Sequence, residues 1–211
     1  MAKEIRNLIK TEKIENVIFD LGGVLLDIDF KKTAQAFEKI GIADFNKLFS
    51  SIKPNPIYYD FEKGLVHPDD FRKLIKQEIK LNVSDQDFDF AWNALLGNYT
   101  NERLKIALEL KKTHRTFLLS NTNIIHCWHY TENLKTNHNI EKLDHLFEKA
   151  YFSFEMKMRK PDAEIYEQVL QDSKLKAEKT LFIDDFIENI EAANKLGIKT
   201  FHLTGDLVDF Y

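Results

Sequence analysis

Polar residues stand directly after three short apolar runs of this sequence. They are Asp20, Ser120 and Asp184, and the runs before them span residues 17–19, 116–119 and 180–183. A carboxylate at the end of a buried strand can act as a nucleophile or a metal ligand, and the glycine pair after Asp20 would let the backbone approach a ligand closely. Taken alone, Asp20 could as well cap a turn, so its role depends on the residues that the fold brings beside it.

Asp185 directly follows Asp184 and makes an adjacent pair of acids. Adjacent carboxylates repel one another unless a cation is present, and a hard divalent ion such as Mg²⁺ takes oxygen ligands. The pair and Asp20 therefore predict a Mg²⁺ site. The alternative is that one acid of the pair caps a helix and the other is solvated.

Two further segments carry groups that suit a phosphate. Ser120 and Asn121 offer hydroxyl, amide and backbone donors at a strand-to-helix turn, the kind of nest that receives a phosphate oxygen, although a turn with a helix cap fits them equally well. Lys160 precedes Pro161, which favours an extended backbone at Lys160. A positive charge held there could neutralise a nucleophilic carboxylate or a bound phosphate.

Continuous apolar runs of this length are typical of strands buried on both faces of a parallel sheet. Weaker runs at 150–152 and 200–203 raise the number of predicted strands to five, and helix-period segments separate the later ones. Alternating strands and helices predict an α/β fold with a doubly wound sheet. Because ligands of such folds bind beyond the carboxyl ends of the strands, we expect Asp20, Ser120 and Asp184 to meet at one edge.

Residues 29–100 separate the first two strands, far more than the dozen or so that a crossover needs. The spacing of apolar residues predicts helices throughout this segment, with Ser84 as the N-cap of the last one and Leu95 and Gly97 near its end. We interpret residues 29–100 as a small helical cap, inserted into an α/β core of residues 1–28 and 101–211. Asp27 and Asp29, at the entrance to the cap, could reach the site or cap the first cap helix.

The composition excludes several classes of protein. Hydrophobic residues make up 44% and charged residues 30% of the 211 residues, as in a globular protein with one core and a modest insertion. Thirty basic and 34 acidic residues are too balanced for a nucleic-acid-binding surface. The single cysteine excludes an internal disulfide framework, and no apolar stretch is typical of a signal peptide or a membrane span. We therefore expect a cytoplasmic protein.

Four short motifs occur in order along the chain: DLGGVLLDID, LLSNTN, RKPDAEIYEQVL and FIDDFIENIEAANKLGI. In this order they resemble the haloacid dehalogenase-like hydrolase superfamily, and their wording is similar to the branch that contains α-glucose-1-phosphate phosphatases. The resemblance covers the whole chain. It implies a Rossmann-like parallel sheet of order 5-4-1-2-3 with a helical cap after the first strand, and phosphoryl transfer through an aspartyl-phosphate.

The resemblance also implies a role for each motif residue. Asp20 would be the nucleophile, Ser120 and Asn121 would bind the phosphoryl group, and Lys160 would stabilise the charge on both. The implied Mg²⁺ ligands are Asp20, the carbonyl of Gly22, Asp184 and Asp185.

Gly22 departs from the family pattern. Most phosphatases of the superfamily carry a second Asp at this position, which protonates the leaving oxygen, and such proton transfer contributes typically ~10²–10⁴-fold to the rate. In the predicted cap, Tyr58 and Tyr59 resemble a substrate-specificity loop, although packing within the cap fits them as well.

The sequence as a whole predicts a Mg²⁺-dependent phosphatase of small phosphorylated metabolites. Sugar 1-phosphates are favoured, because an anomeric oxygen leaves more readily from a site without an acid at Gly22. The partner is then a small metabolite and neither nucleic acid nor membrane, and the chain is a monomer or a homodimer. Two alternatives stay open: a 2-haloacid dehalogenase, in which the Asp attacks carbon without metal, and a non-catalytic binding or regulatory protein.

Overall fold

A computed structural model of the chain describes residues 4–42 and 56–211. The strands are β1 (Asn16–Phe19), β2 (Leu26–Ile28), β3 (Leu96–Tyr99), β4 (Arg115–Ser120), β5 (Lys149–Phe152), β6 (Thr180–Asp184) and β7 (Lys199–His202). The helices are α1 (Glu4–Thr11), α2 (Phe30–Lys39), α3 (Pro56–Glu62), α4 (Pro68–Glu78), α5 (Asp85–Asn93), α6 (Asn101–Lys111), α7 (Ile124–His138), α8 (Ser153–Met156), α9 (Ala163–Asp172), α10 (Ile187–Lys195) and α11 (Leu207–Phe210). No helix within these residues is both long and apolar enough to cross a bilayer.

Five of the strands form one parallel sheet in the order β5-β4-β1-β6-β7. Counted along the chain, β1, β4, β5, β6 and β7 are strands 1 to 5 of this sheet. The order across the sheet is therefore 3-2-1-4-5, which is the predicted 5-4-1-2-3 read from the opposite edge. The prediction of an α/β fold with a Rossmann-like parallel sheet flanked by helices is confirmed.

The two faces of the sheet are buried against separate apolar clusters. Phe19, Leu118 and Ile183 pack on one face, and Ile18, Phe117 and Phe182 pack on the other. Successive side chains of a strand point to opposite faces, so a strand covered on both sides needs an unbroken apolar run. Burying each such side chain stabilises the fold by roughly 1.5–3 kcal/mol. Every position of such a strand is therefore apolar, and the sequence shows the strand as a continuous apolar run.

Strand β3 shows that one prediction was wrong, since residues 29–100 are not helical throughout. β3 pairs antiparallel with β2, and this ribbon connects the predicted core with the predicted cap. Helix α5 begins directly after the predicted N-cap Ser84, but it ends at Asn93, before Leu95 and Gly97. A Cβ at Gly97 would lie 2.7 Å from the Cβ of Asp27, so the close approach of the two strands selects glycine there.

A third apolar cluster is built mostly from helices of the predicted cap, with Ile125 of α7 added. Its large side chains are Phe37, Phe61, Phe71, Phe88 and Trp92, with the rings of Phe61 and Phe71 stacked at 3.8 Å between centroids. A cap of residues 29–100 would need a core of its own such as this one. Residues 43–55 of that predicted cap lie outside the described residues.

Candidate active site

Asp20 directly follows β1, and its backbone N–H donates a hydrogen bond of 2.9 Å to the carbonyl of Ile183. This bond, together with the parallel register that pairs Phe19 with Ile183, holds Asp20 beside Asp184 at the end of β6. Both acids are buried. Since a buried carboxylate is costly unless it is paired, the two acids need compensating donors or cations.

Lys160 supplies part of that compensation. Its Nζ donates to Oδ1 of Asp20 and to Oδ2 of Asp184, each at 2.7 Å, and only 1% of the residue is exposed. Burial alone would lower the pKa of Lys160, but the charges of the two carboxylates and its hydrogen bonds to them outweigh burial and raise that pKa. Lys160 is therefore a fixed positive charge between the two strand ends.

Asp184 is held by further donors that the sequence did not reveal. Its carboxylate accepts from the backbone N–H of Phe186 at 2.8 Å, and the amide of Asn189 lies 3.0 Å from both of its oxygens. Asn189 is buried in the first turn of α10, five residues after Asp184. Lys160 also donates to Oδ2 of Asp184, so this acid helps to fix the position of the lysine.

Asp185 has the opposite character. Its Oδ1 is buried and has no hydrogen-bond partner among the described residues. Asp20, Asp184 and Asp185 can each place one oxygen within 4.8 Å of the others. Three carboxylate oxygens suit a hard divalent cation and not a soft one, so the residues present fit Mg²⁺.

Burial shifts the proton affinity of two of these acids. It raises the pKa of Asp20 to about 7, against the lowering effect of Lys160, and the charge of Asp184 adds to the increase. Burial, followed by the charge of Asp184, raises the pKa of Asp185 to about 6. A bound cation would favour the charged form of both acids and so oppose both shifts.

The turn after Asp20 lies against Asp185. Gly23 has a φ of +74°, and a Cβ there would lie 2.2 Å from Oδ2 of Asp185. At Gly22, a Cβ would lie 3.1 Å from Cγ1 of Ile28. An apolar side chain therefore occupies the side on which a residue larger than glycine would project.

Asp27 and Asp29 both have structural partners. Oδ1 of Asp27 accepts from Nη1 of Arg103 at 2.6 Å, and the same guanidinium forms two bonds to Asp206, at 3.1 and 2.7 Å. Asp29 accepts from the N–H of Lys31 at 3.0 Å and is the N-cap of α2. The helix-capping interpretation of Asp29 is thus confirmed, and Asp27 is bound to an arginine.

Ser120 is the last residue of β4 and Asn121 follows it, at the same edge of the parallel sheet as Asp20. Ser120 is buried. The side chain of Asn121 is bound to the backbone of Lys160: Nδ2 donates to the Lys160 carbonyl at 2.8 Å, and the Lys160 N–H donates to Oδ1 at 2.9 Å. This pair of hydrogen bonds, between residues 39 positions apart in the chain, holds Lys160 in place. The spacing of the motifs does not reveal this function of Asn121.

Tyr58 and Tyr59 lie on α3, where both are half-buried. The ring of Tyr58 contacts Tyr59 at 5.6 Å and Trp92 at 6.2 Å between centroids, both edge to face. Burial, with the charge of Glu62 and a hydrogen bond to it, raises the pKa of Tyr58, so its phenol stays protonated. Tyr59 also contacts the predicted core, because the guanidinium carbon of Arg159 lies over its ring, 4.5 Å from the centroid.

Comparison with known proteins gives one consistent family. The haloacid dehalogenase-like hydrolase profile matches residues 14–197. A D-ribitol-5-phosphate phosphatase from Bacteroides thetaiotaomicron is 31% identical, over 89% of this chain and 91% of its own length. A phosphorylated carbohydrates phosphatase from Thermotoga maritima is 26% identical, over 88% of this chain and 83% of its own.

A solved structure indicates the same family as these sequence matches. A haloacid dehalogenase family enzyme from Bacteroides thetaiotaomicron, in complex with magnesium and inorganic phosphate, superposes with a TM-score of 0.80. The two chains are 36% identical, and the match covers 90% of this chain and 93% of the other. The resemblance seen in the four motifs is confirmed for the superfamily: this chain belongs to the haloacid dehalogenase-like hydrolases.

Proposed function

We propose that the protein is a Mg²⁺-dependent phosphatase of small phosphorylated carbohydrates. The observation that carries the proposal is the buried group of Asp20, Lys160 and Asp184 beside the unpartnered oxygen of Asp185. Such a group presents a nucleophile, a fixed positive charge and an acceptor for a cation in one place. The relatives named above, which carry the names of carbohydrate and polyol phosphatases, support the same substrate class.

In this proposal Asp20 attacks the phosphorus atom of the substrate. The ester bond breaks, the leaving oxygen departs with its electron pair, and an aspartyl-phosphate forms that water then hydrolyses. Lys160 stabilises the negative charge of the phosphoryl oxygens, and the hydroxyl of Ser120 donates to one of them.

Asp20, Asp185 and the carbonyl of Gly22 would hold the Mg²⁺, and Asp184 would support it directly or through water. When bound, the ion screens the charge of the nucleophile from that of the substrate. Tyr58 and Tyr59 would contact the carbohydrate, with their rings against its apolar faces. Asn121 acts on this site by positioning Lys160.

The preferred substrate is a sugar 1-phosphate. A side chain that could protonate the leaving oxygen is absent at Gly22, and Ile28 lies where it would project. An oxygen that leaves without a proton must carry negative charge well, and an anomeric hydroxyl is more acidic than a primary alcohol. D-ribitol 5-phosphate, the ester of a primary alcohol, is therefore the informative competitor.

Phosphate release by the pure protein tests the function. We expect release from α-D-glucose 1-phosphate in Mg²⁺, slower release from glucose 6-phosphate and D-ribitol 5-phosphate, and none in excess chelator. Faster release from D-ribitol 5-phosphate would contradict the preference and leave the phosphatase intact. Chloride release from 2-chloropropionate in chelator would favour the dehalogenase, and no turnover of any substrate would favour the non-catalytic protein.

A further inference from the structure

We infer that Arg159, through its ion pair with Glu62, is a positioning residue that makes the placement of Lys160 depend on the seating of helix α3. The inference rests on the proposed function, because Lys160 is the positive charge of that site. Glu62 is the last residue of α3, and Arg159 immediately precedes Lys160 in the chain.

The end of α3 is fastened to the predicted core through backbone carbonyls that accept from core side chains. The hydroxyl of Ser153 lies 2.7 Å from the carbonyl of Glu62, and it also lies 2.9 Å from both the N–H and the carbonyl of Thr122. Nζ of Lys157 donates to the carbonyl of Gly64 at 2.6 Å. Gly64 has a φ of +61°, and a Cβ there would lie 2.2 Å from the carbonyl oxygen of Phe154, so the two backbones touch. The end of α3 is thus seated on the segment that leads to Lys160.

The Glu62–Arg159 pair adds a side-chain contact at the same seam. Oε2 of Glu62 lies 3.1 Å from Nη2 and 3.2 Å from Nε of Arg159, and the Glu62 side chain is only 11% exposed. The guanidinium also stacks over the ring of Tyr59, 4.5 Å from its centroid. A guanidinium held by a buried carboxylate on one side and an aromatic face on the other has little freedom to move.

Lys160 is consequently held on two sides. Asn121 binds its backbone N–H and carbonyl from the end of β4, and Arg159 ties the preceding residue to α3. A displacement of α3 would move Arg159 and, with it, the backbone of the next residue, Lys160. The ammonium group of Lys160 must lie 2.7 Å from both Asp20 and Asp184. Geometry of this kind is sensitive, since a 1 Å misplacement can cost about 10²-fold in rate.

The experiment compares Glu62→Gln, Arg159→Lys and the double variant with the parent enzyme. Glutamine keeps the shape and hydrogen-bonding capacity of Glu62 without its charge, and lysine keeps the charge of Arg159 without its planar fork. The readouts are kcat and KM for p-nitrophenyl phosphate, whose small leaving group needs few contacts with α3, and for α-D-glucose 1-phosphate. The melting temperature reports on the fold. Glu148→Gln is the matched control, because it breaks a similar pair with Arg115 at the opposite end of β4.

We expect each single variant to lower kcat by about 10- to 100-fold for both substrates with little change in KM. The double variant should be no worse than the poorer single variant, since both remove one interaction. Glu148→Gln should retain the parent kcat. If one single variant fails to fold, the other provides the comparison.

Three results would overturn the inference. One is a rise in KM for the sugar phosphate with p-nitrophenyl phosphate unaffected, which would make the pair a substrate contact. Another is a lower melting temperature with unchanged kcat, which would make it purely structural. The third is additive loss in the double variant. An active parent whose variants keep kcat contradicts this inference alone, whereas a parent that releases no phosphate contradicts the proposed function as well.

Discussion

At the scale of single residues, the site places three carboxyl groups close together, and two of them bind one ammonium group. The pKa values of about 7 for Asp20 and about 6 for Asp185 lie above the ordinary value near 4 that these groups have in an unfolded chain. The folded, metal-free protein therefore binds their protons more tightly than the unfolded chain. Their contribution to stability is fully present below about pH 4 and is lost as the pH rises through 6 and 7. Binding of Mg²⁺ would offset this loss at neutral pH.

Asp185→Ala tests this charge balance. The change removes the oxygen that has no partner, so we expect the Mg²⁺ concentration for half-maximal thermal stabilisation at pH 8 to rise by about tenfold or more. In excess chelator the variant should melt at or above the temperature of the parent, because one repulsive charge is gone. Thermal melts across a Mg²⁺ titration measure both effects.

Glu178→Ala is the control for that titration. Glu178 is an exposed acid just before the opposite end of β6, and its removal should leave the Mg²⁺ response unaltered. An unchanged midpoint for Asp185→Ala would exclude the carboxylate from the metal site.

Residue positions at the strand ends could be predicted, whereas their long-range contacts could not. Asp20, Ser120 and Asp184 follow apolar runs, and parallel strands bring their carboxyl ends to one edge. The bonds from Asn121 to Lys160 and from Glu62 to Arg159 join positions 39 and 97 residues apart. No local pattern specifies such a pairing, because it depends on how loops from different elements meet.

At the scale of elements, the turn between β1 and β2 shapes the site through its glycines. We predict that Gly23→Ala weakens Mg²⁺ binding, because a Cβ there would lie 2.2 Å from Oδ2 of Asp185. The substitution also forces a non-glycine residue into a positive φ, which costs about 1–2 kcal/mol of stability. A Mg²⁺ titration of phosphatase activity, with a thermal melt beside it, separates the two effects.

Gly41→Ala is the matched control for that turn. Gly41 has a φ of +109°, but nothing in the described part of the chain lies within 4 Å of a Cβ placed there. Both variants should lose stability, and only Gly23→Ala should need more Mg²⁺. Equal Mg²⁺ requirements would mean that the close approach to Asp185 has no bearing on the metal.

Elements differed in how well the sequence specified them. The central strands β1, β4 and β6 were predicted because burial on both faces demands continuous apolar runs, whereas the edge strands β5 and β7 have weaker runs. β3 was missed, since the segment Leu96–Tyr99 contains a glycine and exists as a strand only through its pairing with β2. Helix α5 was predicted from its Ser84 cap, but the sequence did not show that it stops at Asn93.

At the scale of the whole molecule, the candidate catalytic residues lie at one edge of the sheet, and separate apolar clusters stabilise the elements that carry them. Two clusters cover the faces of the sheet, and a third lies among the inserted helices. The strand order followed from the resemblance of four motifs and not from the apolar pattern, which fixes neither order nor direction. Because α3 packs in the third cluster, a few polar contacts hold its end on the predicted core, among them the pair of Glu62 and Arg159.

The central claim is that Asp20 is the nucleophile of a phosphatase, and Asp20→Asn tests it most directly. The amide has nearly the same volume and cannot form the acyl phosphate, so the fold should persist while phosphate release from α-D-glucose 1-phosphate in Mg²⁺ falls by more than about 10³-fold. Asp29→Asn makes the same substitution at a helix N-cap, where asparagine caps equally well, and should keep parent activity. Phosphate release by a folded Asp20→Asn protein within about tenfold of the parent rate would contradict the account.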